Sequence, residues 1–265
     1  MPSFNDLNLN DWRNLGVWTD SLWIIPERDK SGKHSGFYHG NFVPQIPRQL
    51  ISRYTRSDDV VLDPFVGSGT TAFEAESLNR NFIGVDIQPK LINYIKEKID
   101  SKNNFFELVA GDSADKMIFD NIVNSLKKYQ RGSVQFAILH PPYADIIKFS
   151  DQPEDLSNCQ SLKEFLAKFS QVSRNVIGIL DKNRYLAVVI GDKYTKGQWI
   201  PLGFYCMNEL QKLGLTLKSI IIKNMERNRA KQNKEAIWKY RALSSDYYIF
   251  KHEYILIFKN EKQSI

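Results

Sequence analysis

Residues 60–76, VVLDPFVGSGTTAFEAE, limit the possible folds more than any other stretch. Val60, Val61 and Leu62 read as a short buried strand. Asp63 ends the strand and opens a loop containing Gly67 and Gly69. Thr71, with Glu74 three residues on, is placed to form a capping box at the head of a helix. A strand that passes through glycines into a helix start exposes bare backbone N–H groups at the positive end of a helix dipole. A ligand can settle there, although an ordinary strand-to-helix turn would use the same small residues. The spacing is not that of the phosphate loop G-x-x-x-x-G-K-[ST], because no Lys precedes Thr70, and G-x-G-x-x-G is absent too. A carboxylate at Asp63 would repel a pyrophosphate. It suits a cationic group, such as the ammonium of an amino acid.

The flanking sequence repeats the strand–helix alternation. Ile46, Leu50, Ile51 and Tyr54 fall at helical spacing with Pro47 in the first turn, which predicts a helix before the first strand. Its leading loop, His39 to Gln45, should lie near the glycine loop. Strands are predicted over 60–63, 82–86, 107–110 and 134–139, with helices over 71–79, about 88–101 and about 113–128. This order predicts an α/β fold with a doubly wound, mostly parallel sheet and ligands at the carboxyl ends of its strands. Two of those ends carry further acids. Asp86 lies about 20 residues past the glycine loop, where dinucleotide folds bind ribose hydroxyls. Asp112 follows the third strand and could accept from an adenine amine. Three carboxylates at successive strand ends point to an adenosine-type ligand with a cationic tail, and S-adenosylmethionine has those parts.

Composition sets wide limits. A chain of 265 residues with 42% hydrophobic and 12% aromatic residues can build one large α/β domain. A net charge of +6 permits a polyanionic partner without requiring one. Cys159 and Cys206 are isolated, so neither a disulfide framework nor a metal site is indicated. The opening MPSFNDLNLNDW lacks a signal pattern and no run is long enough to span a membrane, so a cytoplasmic protein is expected. Trp12, Trp18 and Trp23 sit in an arm, residues 1–36, read as irregular and packed on the main body, although a DNA-facing role would also use aromatics.

The second chemical stretch is QFAILHPPY, residues 135–143. An apolar strand runs into His140, Pro141, Pro142 and Tyr143. The prolines stiffen the backbone and lack N–H donors. The loop therefore presents a ring nitrogen, a free carbonyl and an aromatic face together. That set matches a planar base with an exocyclic amine, though a stiffened turn alone would look the same.

Together these stretches resemble the DNA amino-methyltransferases, which methylate adenine N6 or cytosine N4 with S-adenosylmethionine. DPFVGSGTT is similar to that family's cofactor motif, HPPY to its catalytic [DNS]PPY motif, and HGNFVPQIPRQLISRYT to its cofactor-side helix. LAVVIGDKYTKGQWIPLGF resembles the strand and loop flanking the base pocket, and HEYILIFKN the closing strand. The resemblance covers about two thirds of the chain. It implies a Rossmann-like sheet of seven strands in a single methyltransferase domain spanning residues 1–265. It implies cofactor contacts from Phe42, Pro44, Gln45, Asp63, Pro64, Phe65, Gly67, Ser68, Gly69, Thr70, Asp86, Ile87, Asp112 and Ser113. His140, Pro141, Pro142 and Tyr143 would form the catalytic loop.

The order of elements resembles the gamma group, which mainly modifies adenine, while the wording of the cofactor loop looks more like the beta group. Adenine N6 is therefore favoured over cytosine N4. His140 stands where the family has Asp, Asn or Ser. A neutral imidazole can still accept one hydrogen bond. The lone pair of an exocyclic amine is delocalised into its ring. Fixed acceptors for both N–H groups favour the pyramidal form that can attack a sulfonium methyl, and positioning supplies most of the acceleration. No Pro-Cys motif is present, which argues against methylation at cytosine C5. A duplex base must be flipped to reach the pocket.

Substrate contacts are expected from insertions at 144–180 and 223–250. Residues 144–158 should cover the flipped base. The stretch 223–241 holds seven Lys/Arg against two Glu, with aromatics between them. Lys148, Arg227, Arg229, Lys231 and Trp238 are the candidate DNA contacts, although a solvated helix would carry the same charges. The implied partners are double-stranded DNA and, through the family, a restriction endonuclease or second subunit. The rival readings are an RNA base-amine methyltransferase and a non-catalytic nucleic-acid-binding subunit with the same fold.

Overall fold

The computed structural model describes residues 4–35, 38, 40–143, 148–195, 197–225 and 235–261. Strands β1 (Leu22–Trp23), β2 (Val60–Asp63), β3 (Asn81–Asp86), β4 (Phe106–Ala110), β5 (Val134–Leu139), β6 (Leu180–Ile190), β7 (Lys193–Thr195), β8 (Gln198–Ile200), β9 (Thr216–Asn224) and β10 (His252–Lys259) alternate with helices. The helices are α1 (Gln45–Tyr54), α2 (Thr70–Ser77), α3 (Pro89–Lys96), α4 (Lys116–Lys128), α5 (Leu162–Ile179), α6 (Leu202–Lys212) and α7 (Glu235–Leu243).

One sheet carries the order β1-β9-β10-β6-β5-β2-β3-β4, and β7 and β8 form a separate hairpin. Strands β6, β5, β2, β3 and β4 run parallel. β10 alone runs against its neighbours β6 and β9. The sheet has eight strands where seven are expected; six lie where the sequence reads as strand, β9 lies in a stretch without that reading, and β1 is the addition. Its two residues pair with Ile222 and Lys223 of β9 and cover the carboxyl end of that strand's outer edge, which would otherwise present unpaired backbone groups there. The Ile25 N–H, just past β1, goes to Asn224 Oδ1 at 2.7 Å. The N-terminal arm is thus partly regular. Of its tryptophans Trp23 is buried, whereas Trp12 is 61% exposed and does not join the core as expected. Trp12 sits in a 3₁₀ turn with no buried residue, so nothing in that turn docks it.

Strand β2 is buried on both faces because helices cover both. The pleat sends successive side chains to opposite sides. Val60 and Leu62 join Phe119 and Ile122 of α4, Phe165 and Phe169 of α5, and Leu210 of α6. Val61 faces the other way, toward Ile46 and Leu50 of α1, Phe73 of α2 and Ile95 of α3. This three-layer arrangement buries a continuous apolar run that a one-sided sheet could not accommodate. The strands fall within a residue of their predicted bounds. Three helices are shorter than predicted, α2 ending at Ser77. α3 stops at Lys96, and the Asp100 N–H beyond it turns to Glu76 Oε1 at 2.7 Å. α4 starts at Lys116 because the Asp115 side chain caps it by accepting from the Met117 N–H.

The chain winds outward from β2 in both directions, to β3 and β4 on one side and to β5 and β6 on the other. The connections leaving β2 and β5 therefore part at their carboxyl ends. A crevice must open there, and doubly wound folds place their ligands in it.

Candidate active site at the switch point

A cavity of about 640 Å³ fills this crevice. Its walls come from the loops after β2, β3, β4 and β5, from the arm before α1, and from β9 and β10. The first wall is the glycine loop. Asp63 is 1% exposed; Oδ1 accepts from the Phe65 N–H at 2.9 Å and Oδ2 from the Thr71 hydroxyl at 2.5 Å. The expected capping box therefore does not form. Thr71 is spent on Asp63, and α2 begins from Gly69, whose φ of 91° only glycine adopts without strain. A Cβ there would also stand 2.8 Å from Ile95 Cγ1. Glu74, the other half of the expected box, is fully buried. It accepts from Arg48 Nε and Nη2, each at 2.9 Å, and lies 2.6 Å from His34 Nε2. It ties α1 and the N-terminal arm onto α2.

The next acids repeat the pattern. Asp86 Oδ2 accepts from the Gly67 N–H and Oδ1 from the Gln88 N–H, both at 2.9 Å. Asp112 Oδ1 accepts from the Ala114 N–H at 2.8 Å, and the Ser113 hydroxyl donates to the Pro64 carbonyl at 2.6 Å. Each carboxylate stitches one strand-end loop and keeps lone pairs unused, since two carboxylate oxygens offer about four acceptor sites. Burial pushes all three up: Asp63 from 3.8 to about 7 and Asp86 from 3.8 to about 6, with Asp112 raised as well. Thr71 and Phe65 oppose the shift at Asp63, and the Gln88 and Gly67 N–H groups oppose it at Asp86. Three acids on one cavity, Asp63 buried and Asp86 and Asp112 partly so, form an acceptor set that fits a ligand bringing hydroxyls, an amine and positive charge.

Phe42, Asp63, Pro64, Phe65, Gly67, Thr70, Asp86, Ile87, Asp112 and Ser113 all line the cavity. Pro44, Gln45, Ser68 and Gly69 do not, and each has a structural task instead. Pro44 caps α1; Gln45 bridges the Asp29 N–H and the Glu27 carbonyl in the arm. Ser68 Oγ accepts from Asn41 Nδ2 at 2.6 Å, and Gly69 turns into the packing of Ile95 and Phe73. The loop before α1 does lie against the glycine loop, through Asn41 and through Tyr38 beside Gly67. His39 itself is outside the described residues.

The catalytic-loop candidates leave the end of β5. His140, Pro141, Pro142 and Tyr143 all line the same cavity. The His140 ring lies 4.9 Å from Phe42 and meets Tyr143 edge-on, at 6.2 Å and 86° between planes. The Tyr143 hydroxyl accepts from the Gly191 N–H at 2.7 Å, which fixes the ring against the end of β6. Burial in this apolar surround lowers His140 from 6.5 to about 4; Glu253 opposes the shift and Lys223 adds to it. The imidazole is therefore neutral at physiological pH and keeps an acceptor nitrogen.

Sequence reasoning gave no site role to Glu253 and met Lys223 only as the first residue of the basic stretch, yet both line the cavity. Only the strand register brings them together, and neither local sequence flags it. Tyr38, from the loop before α1, is another lining residue that was missed. From the stretch expected to cover the base, Phe149, Glu154, Asp155 and Leu156 line the cavity, while residues 144–147 are outside the described residues. Lys148 is paired with Asp151 at 2.5 Å on the surface and does not line the cavity. Trp238 sits in α7 beneath the Arg241 guanidinium, 5.5 Å from it. Arg227, Arg229 and Lys231 lie outside the described residues.

A doubly wound α/β domain with an acid-lined, glycine-looped crevice facing a Pro-Pro-Tyr loop defines the class: a small-ligand domain with its site at the switch point of the sheet. The profile of the DNA methylase family matches residues 5–97 and 134–264. The chain belongs to that family. It is similar to the Type II methyltransferase M.BglI of Bacillus subtilis, 36% identical over 98 residues, 37% of this chain and 26% of that protein. It is also similar to M2.DpnII of Streptococcus pneumoniae, 36% identical over 100 residues, 36% of this chain and 34% of that protein. With M.HpaI of Haemophilus parainfluenzae it shares 44% identity over 61 residues, 23% of this chain and 19% of that protein. The chain thus aligns with no more than about a third of these relatives' own lengths.

Proposed function

We propose that this chain is an S-adenosylmethionine-dependent DNA methyltransferase acting on the exocyclic amine of a flipped base. One observation carries the reading: the acid-stitched glycine loop and the His140–Tyr143 loop open onto a single cavity. A methyl donor held by one and a base held by the other would meet inside it. Bound S-adenosylmethionine supplies an electrophilic sulfonium methyl. Asp86 would hold the ribose hydroxyls, Asp112 the adenine amine, and Asp63 the positive end of the amino-acid tail. Phe42 and Tyr143 close an apolar slot around the target ring. His140 and the Pro141 carbonyl accept the two amine hydrogens, which directs the nitrogen lone pair at the methyl group.

The relatives that this chain resembles are named Type II methyltransferases, which supports site-specific duplex DNA as the substrate, a cytoplasmic location and a companion endonuclease. The order of elements favours adenine N6. Within this chain the 265 residues act as one domain, with the arm 1–36 and the stretches 144–180 and 223–250 contacting substrate. The test supplies labelled S-adenosylmethionine with duplex DNA or with RNA, and reads the modified base. Label on the amine of a DNA base supports the reading; label on RNA alone, or on neither, overturns it.

A further inference from the structure

Lys223 and Glu253 face each other in the antiparallel register of β9 and β10. Nζ lies 2.9 Å from Oε1, and the two residues are 7% and 6% exposed. Both line the cavity that holds His140, Pro141 and Tyr143. Of their strand neighbours, Ile222 and Tyr254 are apolar or aromatic and Asn224 and His252 are polar. A charge pair in such surroundings is a poor stabiliser. Dehydrating two ions offsets most of their attraction, and apolar residues of the same size hold strands as well or better. Charges kept in a reactive cavity at that cost suit a part in its chemistry.

The chemistry that needs them follows from proton balance. When the amine nitrogen takes a methyl group, an N–C bond forms, the C–S bond breaks, and its electron pair stays on sulfur. The nitrogen is left positively charged with one proton too many. A carboxylate, amide or hydroxyl at the first position of the loop is a weak or already charged acceptor. His140 offers a neutral ring nitrogen that can take that proton and become imidazolium. An imidazolium in a dry cavity needs a counter-charge. Before the reaction the same ring must stay neutral, or it would meet the amine with donors on both sides.

We propose that Glu253 and Lys223 are positioning residues that set the charge on His140. Glu253 steadies the imidazolium formed as the amine proton arrives, and Lys223 fastens the Glu253 carboxylate and limits its pull on the ring. The proposal rests on the methyl-transfer reading of this cavity and adds the fate of the proton. The groups that act on His140 are Glu253 from β10, Lys223 from β9 and Tyr143 from its own loop. Burial holds Tyr143 protonated, well above its ordinary value, so it brings no charge. The direction of each neighbour's effect matches its role, because Glu253 raises His140 and Lys223 lowers it.

The test uses the full chain with isotopically labelled histidine. Its four histidines allow the His140 ring signal to be assigned with a single variant and titrated from pH 8 downward. Lys223→Met should move the His140 titration upward by roughly one pH unit, and Glu253→Gln should move it the other way. The double variant Lys223→Met/Glu253→Gln removes both fields without leaving a lone buried charge. It should titrate near wild type, because two opposed fields leave together. Should one single variant fail to fold, the other decides. A folded single variant that leaves the His140 titration in place, or a double variant that moves it as far as a single variant does, would overturn the proposal. Wild type that methylates no nucleic acid would instead sink the functional reading, and the ring titration would still report whether the pair governs His140.

Discussion

Cofactor binding should release protons through Asp63. Desolvation raises this carboxyl from 3.8 to about 7, with a further push from Asp86. Its folded value lies above its unfolded one. The stability it lends is therefore present at low pH and is lost as pH rises toward 7, where the buried carboxyl must ionise. At pH 7 about half of the molecules hold the proton at Asp63, and Asp86, raised to about 6, holds about a tenth. A ligand with an ammonium and a sulfonium reverses the balance, because an adjacent positive charge favours the carboxylate. Binding at pH 7 should then expel roughly half a proton, and affinity should strengthen about tenfold between pH 6 and pH 8. Calorimetry in two buffers of different ionisation heat measures the released protons directly. Asp63→Asn retains an acceptor for the Phe65 N–H or the Thr71 hydroxyl but cannot titrate, so its proton release should fall to the small share from Asp86. If wild type takes up S-adenosylmethionine with no proton release and unchanged affinity over this range, Asp63 serves only to fasten the loop.

Asp86→Ala should weaken S-adenosylmethionine binding roughly tenfold or more while the chain stays folded, since a charge-assisted hydrogen bond is removed; an unchanged calorimetric affinity would remove Asp86 from the cofactor site. Gly69→Ala should cost about 1–3 kcal/mol in chemical denaturation, because alanine at φ 91° is strained and its Cβ would press on Ile95. A midpoint equal to wild type would mean that the loop relaxes freely. Neutralising Arg227, Arg229 and Lys231 together should flatten the salt dependence of DNA binding by roughly 0.9 log units for each phosphate left without its cation. The same slope as wild type would leave that stretch as ordinary solvated surface.

The sequence by itself determined the parallel half of the sheet and the position of its crevice. Four apolar runs, each closed by Asp63, Asp86, Gly111-Asp112 or His140, fix strand bounds and strand ends locally, because buried parallel strands must be continuously apolar and must stop where polar loops begin. Ten of the fourteen cofactor candidates and all four catalytic candidates, His140 to Tyr143, line the one cavity. Tertiary structure decided the rest. Thr71 and Glu74 have capping-box spacing, but stronger partners took them, a buried Asp63 and the Arg48 guanidinium, neither of which is a local neighbour on the helix. Gln45 and Ser68 carry the right motif, yet their side chains fasten the arm and the leading loop instead of reaching the cavity. β1 forms because β9 leaves an open edge, a vacancy no run of two residues can announce. Lys223 and Glu253 are 30 residues apart in the chain and meet only through the register of an antiparallel pair. Local propensity and composition act along the chain, whereas register, edge cover and burial act across it, and the charge environment of His140 belongs to the second kind.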